Sequence, residues 1–175
     1  RLADPAIGGA DARVELVRRF AQAVGARGMV WGQMQDIAAE TAASPLSLDQ
    51  IVALQDGKTG ALIGFAATAG AVMAQADPAP LGEYARNLGL AFQIADDILD
   101  VTGTQETTGK RVGKDAAAGK ATFVSLMGLD RARTEAQAMV DRAEAALEVY
   151  QAAGGQTRAA ENLRQLARFV IHRQT

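Results

Sequence analysis

The sequence predicts an all-α protein, a helical bundle. Three observations carry that expectation. Apolar residues recur at spacings of three and four along most of the chain, and no segment sustains an alternation of apolar and polar residues. Alanine, the residue with the highest helix propensity, is abundant, while aromatic residues are only 5%, so helices can approach one another closely. Hydrophobic residues at 49% and charged residues at 22% are a globular balance, and 175 residues suit one domain with a real core.

The elements follow in order. Asp11 is placed to cap a helix whose apolar positions are Val14, Val17, Phe20 and Val24. Gly25 and Gly28 end it, and a second helix is expected from Met29 to Glu40. Thr41–Ser47 reads as a loop around Pro45, with Ser47 and Gln50 in capping-box positions for a third helix bearing Leu48, Ile51, Val52 and Leu54. Gly57 is expected to break that helix just before Lys58-Thr59-Gly60. Ala61–Met73 is apolar on every side, so it should be buried or line an apolar cavity. After a break at Asp77–Pro80, Leu81–Val101 is the longest helical candidate. Gly103–Gly119, rich in Gly, Thr, Lys and Asp, reads as an active-site loop. Helix resumes over Thr122–Leu129, then in a segment marked by Met139, Val140, Ala143, Leu147 and Tyr150 that ends at Gly154-Gly155. Leu163, Leu166, Phe169 and Val170 mark the last helix.

Composition removes several function classes. The net charge of -2 argues against a nucleic-acid protein, which would show a basic face. The absence of cysteine excludes disulfides and thiolate metal sites. One histidine, His172, argues against a zinc site or a Ser-His-Asp triad, and no Glu-x-x-His pair or P-loop occurs. No run reaches the roughly 18 apolar residues of a membrane span, and no signal peptide is visible, so a cytoplasmic location is expected. Arg1 in place of methionine, and a Pro/Gly loop over Leu2–Gly9, suggest a fragment of a longer chain.

The most informative residues are Asp96-Asp97-Ile98-Leu99-Asp100, set between the apolar stretch Leu88–Ala95 and Val101. On a helix Asp96 and Asp100 share a face one turn apart, and Gln93 lies one turn before Asp96 and Asp97. Like charges at that spacing repel, and a hard divalent cation with oxygen ligands offsets the cost. The competing reading is an acidic stripe turned to water, which such apolar flanks suit poorly. Lys58 and Thr59 can bind a diphosphate with the free N–H groups of a helix break, or Lys58 can be a surface lysine at a kink. Lys110 and Lys120 pose the same choice: each alone is more often a solvated charge. Gln33 and Asp36 are i,i+3 neighbours, either a structural hydrogen-bonded pair or part of a site.

Together these elements resemble the trans-isoprenyl diphosphate synthases of the farnesyl/geranylgeranyl type. The markers run in order: Gly28–Asp36 (GMVWGQMQD), Lys58–Ile63 (KTGALI), Gly89–Asp100 (GLAFQIADDILD), Thr108-Gly109-Lys110, and Gly119–Thr122 (GKAT). The resemblance implies an isoprenoid-synthase-type bundle of which residues 1–175 form the C-terminal portion, within a single polyprenyl synthetase domain. It implies a Mg²⁺-dependent prenyltransferase that condenses isopentenyl diphosphate with an allylic diphosphate. By the same resemblance Asp96 binds Mg²⁺ directly, with Asp97 and Asp100 supporting the ion or its waters, and up to three ions act in the intact enzyme. Lys58, Lys110 and Lys120 hold the allylic diphosphate, and Thr59 and Gln93 lie near the reacting groups. The proton lost goes to the leaving pyrophosphate, and an apolar cavity walled by Ala61–Met73 and Phe92 keeps water from the cation. A homodimer without membrane insertion is implied.

Trp31 departs from the pattern, since the family commonly has glycine there. The larger departure is that the family's first aspartate-rich motif lies upstream and is absent from these 175 residues, which implies that this stretch alone is inactive. Two other classes fit part of the pattern. A terpene cyclase or squalene-synthase-like enzyme would turn over one prenyl diphosphate without isopentenyl diphosphate. A noncatalytic helical subunit would bind metal or pyrophosphate at most.

Overall fold

The computed structural model describes residues 1–103, 121–152 and 158–173. Among these residues there is helix and no strand. After a 3₁₀ turn at Pro5–Ile7 the helices are α1 (Ala10–Val24), α2 (Met29–Ala39), α3 (Leu48–Gln55), α4 (Ala61–Met73) and α5 (Ala79–Thr102). They are followed by α6 (Phe123–Met127), α7 (Leu129–Ala146), the short α8 (Val149–Ala152) and α9 (Arg158–His172). The expected loop over Gly103–Gly119 lies, from residue 104 on, outside the described residues, as do Gly154 and Gly155.

The centre of the bundle is α5 laid against α7. Tyr84, Ala85, Leu88 and Ala91 from α5 meet Ala132, Ala136, Val140 and Ala143 from α7, all buried. Alanine at these positions lets the two backbones approach, which is where the alanine-rich composition is used. From α9, Ala167 and Val170 join the same core. The Tyr84 hydroxyl ties α9 in place by donating to the Leu163 carbonyl at 2.8 Å.

Local signals set most helix ends. Ser47 Oγ accepts from the Gln50 N–H at 3.3 Å and Gln50 Oε1 accepts from the Ser47 N–H at 2.8 Å, the reciprocal box expected at the start of α3. Thr122 and Ser125 form a second box at the start of α6. Gly128, at φ 82°, joins α6 to α7 in a backbone conformation that favours glycine.

Three expectations are corrected. Asp11 does not cap α1; Gly9 does, and Asp11 sits in the first turn, where its charge still favours the helix. The face of α1 that packs is Ala12 and Leu16, lying on α4 with Phe20 against Phe65 (ring centroids 5.2 Å apart), while Val14 and Val17 point outward. Likewise α9 buries Ala160, Arg164, Ala167 and Val170 and exposes Leu166 and Phe169. In both helices alanines share the packed stripe with a few larger residues, Leu16 in α1 and Leu163 and Val170 in α9, and the remaining bulky apolar residues lie off it. The third correction concerns α4. It is apolar all round, yet only Thr68, Ala71 and Val72 are buried; α1 and α5 flank it, and Gly64 and Gly70 have no neighbour within 4 Å of where a Cβ would stand.

Candidate active site

The helix break expected at Gly57 is not a break. Residues Asp56–Gly60 form a π-helical turn that runs from α3 into α4, so Leu48–Met73 is one continuous rod. In a π turn each N–H bonds five residues back, so this backbone does not present the free donors that a break would offer. What the turn offers is side chains. One extra residue per turn swings Lys58 and Thr59 out of the register that an α-helix would impose.

Two glycines permit the packing that holds this turn. A Cβ on Gly32 of α2 would stand 2.1 Å from the Lys58 nitrogen and 2.6 Å from its Cα. A Cβ on Gly57 would stand 2.9 Å from Trp31 Cε3 and 3.2 Å from the Gly32 Cα. The backbones of α2 and the π turn therefore touch, and Trp31, the departure from the family pattern, lays its ring edge over Gly57. The contact brings Asp36, one turn along α2, to Lys58: Nζ donates to Oδ2 at 2.6 Å, with Asp36 buried and Lys58 about one-third exposed. Asp36 is thus paired with Lys58 across 22 residues of sequence, while Gln33 is exposed. The turn opens on Asp56, whose carboxyl burial pushes above its ordinary range, with the positive Arg86 opposing.

On the other side stands α5. Gln93 Nε2 donates to Thr59 Oγ1 at 3.3 Å, so two of the residues singled out in the sequence meet across 34 positions. One turn further along α5 the aspartates separate into different roles. Asp97 Oδ2 accepts the Phe123 N–H at 2.7 Å and so holds the first turn of α6. Asp96 is 61% exposed, and its Oδ1 accepts from Arg173 Nη2 at 3.1 Å. Asp100 is half-buried on the Asp96 face. The Arg173 guanidinium also lies over Phe92, 3.9 Å from the ring centre. Lys110 and Lys120 lie outside the described residues.

Sequence reasoning missed the Asp36–Lys58 pair, the capping role of Asp97 and the presence of Arg173. Asp36 left a signal, a carboxylate among apolar neighbours, but nothing local pointed to its partner. The resulting arrangement is a lysine, a hydroxyl and an amide grouped at one helix turn, beside a turn that offers carboxylate oxygens. It suits an anion that arrives with a cation.

Comparison with known proteins agrees with that chemistry. The profile of the polyprenyl synthetase family matches residues 6–159. The farnesyl diphosphate synthase of Escherichia coli is 40% identical over 166 residues, which is 92% of this chain and 54% of that protein. An FPP/GFPP synthase of Zymomonas mobilis, solved in its apo form, superposes with a TM-score of 0.82 at 43% identity, over 97% of this chain and 55% of that one. A geranyltransferase of Helicobacter pylori, solved with magnesium and isoprenyl diphosphate, gives a TM-score of 0.75 at 29% identity, over 98% of this chain and 54% of that one. The chain spans about half the length of the curated relatives it matches.

Proposed function

The chain belongs to the polyprenyl synthetase family, and from that premise we propose that the protein joins isopentenyl diphosphate to an allylic diphosphate and releases pyrophosphate, as a farnesyl- or geranylgeranyl-type synthase. The observation that carries this reading is the Thr59–Gln93 hydrogen bond. It sets the lysine-bearing π turn against the part of α5 that leads directly into the aspartates.

Magnesium fits the acidic turn. Among the described residues no three carboxylates or imidazoles converge as a closed metal site. Mg²⁺ does not need one: it keeps waters and takes one or two carboxylates together with substrate phosphates. Asp96, with its exposed carboxylate, would hold the ion directly. Asp100 would support it or its waters, and Asp97 would steady the turn through the Phe123 N–H. Bound there, the ion supplies charge neutralisation for the departing pyrophosphate. That the geranyltransferase was solved with magnesium and isoprenyl diphosphate supports magnesium as the choice of ion.

The chain's own residues do the rest. Lys58, with Lys110 and Lys120, binds the allylic diphosphate, and the Thr59 hydroxyl and Gln93 amide orient it. The allylic C–O bond breaks, with the electron pair leaving on pyrophosphate. The double bond of isopentenyl diphosphate then attacks the allylic carbon, and the proton lost is taken by pyrophosphate. The apolar flank of α4 keeps water from the cation. The enzyme works as a homodimer in the cytoplasm on the same family reading, and no helix among the described residues is long and apolar enough to cross a membrane.

The test uses the intact protein with radiolabelled isopentenyl diphosphate, Mg²⁺ and dimethylallyl, geranyl or farnesyl diphosphate in turn. The expected result is label in a longer prenyl diphosphate, stopped by EDTA. Label that stays in isopentenyl diphosphate with every partner sinks the reading.

A further inference from the structure

Arg173 closes the last described turn of α9, where a side chain would ordinarily be solvated, yet it is only 12% exposed. Its guanidinium spans one turn of α5, stacked on Phe92 and donating to Asp96. Its Nε is buried with no hydrogen-bond partner. A guanidinium taken from water with a donor left unmatched carries an uncompensated desolvation cost, so the contact is poorly built as a permanent clamp. It is well built as a charge placed on one carboxylate.

We propose that Arg173 is the placeholder for the divalent ion at Asp96. In the metal-free protein its guanidinium neutralises the carboxylate; ion binding displaces it and releases the C-terminal end of α9. The inference rests on the assignment of Asp96 as a metal ligand. Three physical points carry it further. An arginine does not shed its proton, so it cannot accommodate a metal by becoming neutral. A divalent ion about 4 Å away repels it roughly twice as strongly as one carboxylate attracts it. The end of α9 has room to move, because Ile171, His172 and Arg173 border a cleft against Ile98 and Leu99 of α5 and Arg133 of α7. Metal loading and the docking of the α9 end are then one equilibrium, and each opposes the other.

The test compares the intact wild-type protein with Arg173→Gln and Asp96→Asn. Mn²⁺ alone is titrated by electron paramagnetic resonance, and amide hydrogen exchange is followed over Phe169–Arg173, where the Arg173 N–H bonds to the Phe169 carbonyl at 3.0 Å. In the wild type Mn²⁺ should speed exchange at these amides. In Arg173→Gln exchange should be fast from the start and indifferent to Mn²⁺, and Mn²⁺ should bind about two- to fivefold more tightly, the scale of one partly exposed ion pair. If Mn²⁺ leaves wild-type exchange unchanged, or Arg173→Gln binds Mn²⁺ no more tightly, the placeholder is overturned. When Asp96→Asn has still weakened Mn²⁺ binding in such a result, the metal assignment survives; when Asp96→Asn binds Mn²⁺ like wild type, both fall. The exchange measurement on wild type decides the matter even if the arginine variant folds poorly.

Discussion

Asp96 and Asp97 are neighbours in sequence with opposite commitments, and substitution should separate them. Asp96→Ala should lower kcat about 10²–10³-fold, the usual cost of losing an electrostatic contact to a leaving group. Its thermal midpoint should hardly move, since the carboxylate is 61% exposed and its ion pair with Arg173 is worth little to folding. Asp97→Ala should do the reverse: it strips the acceptor from the Phe123 N–H, so about 1–2 kcal/mol of stability should be lost with a smaller fall in kcat. A thermal melt run beside steady-state kinetics at saturating Mg²⁺ checks both, and equal midpoints for the two variants would contradict the division. Tyr84 makes a prediction in pH. Burial pushes its phenol from 10.0 up to about 12. A phenol whose folded pKa is raised stabilises the fold fully below the unfolded value and loses that contribution as pH climbs from 10 through 12. Tyr84→Phe should therefore cost about 1 kcal/mol at neutral pH, through the lost bond to Leu163, and flatten the decline between pH 10 and 12 in urea melts.

At the scale of elements, the α2–π turn crossing governs the diphosphate side of the site. Gly32→Ala would put a methyl 2.1 Å from the Lys58 nitrogen, where only backbone can yield. The expected result is a loss of about 1–3 kcal/mol from overpacking and a raised KM for the allylic diphosphate, because Lys58 shifts with its backbone. A denaturant melt and a KM measurement read the two effects; a variant with parental KM would show that Lys58 is not held by this contact. The same crossing shows what the sequence could and could not disclose. Helix spans, the Ser47–Gln50 capping box and the break before α5 were legible, because caps and periodicity are local; the Thr122–Ser125 box, with serine where glutamate or glutamine is the usual signal, was not. The π turn was not, since Gly57-Lys58-Thr59-Gly60 looks like a break until a partner helix occupies the glycine surface. The acidic turn and the Lys-Thr pair were legible as residue types. Their connections, Asp36 to Lys58 and Arg173 to Asp96, span 22 and 77 residues and leave no periodic trace.

For the whole molecule, the core explains why the described residues hold together and where apolar surface is left open. Val14 and Val17 on α1, and Val30, Met34 and Ile37 on α2, are exposed at helical spacing, forming apolar faces left largely open to solvent. Purified Arg1–Thr175 should therefore associate, sedimenting faster than an 18.2 kDa monomer, and should show no prenyl transfer. A monodisperse monomer that turns over substrate would contradict both halves. On α1 the bulky Val14 and Val17 drew the prediction, whereas the packed stripe is Ala12 and Leu16; on α9 Leu163 and Val170 do pack, while Ala160 and Ala167 take the buried positions expected for Leu166 and Phe169. The α5–α7 seam has a further consequence in entropy. Alanine has no rotamers to freeze, so Ala85, Ala91, Ala132, Ala136 and Ala143 add no side-chain entropy cost when α5 docks on α7, and only the larger residues between them, such as Tyr84, Leu88 and Val140, lose rotamer freedom. The helix carrying Gln93 and the aspartates is the tightly packed wall of the site. The opposite wall, the rod from Leu48 to Met73, is half-exposed along α4 and carries the widened turn, so it is the less tightly packed of the two.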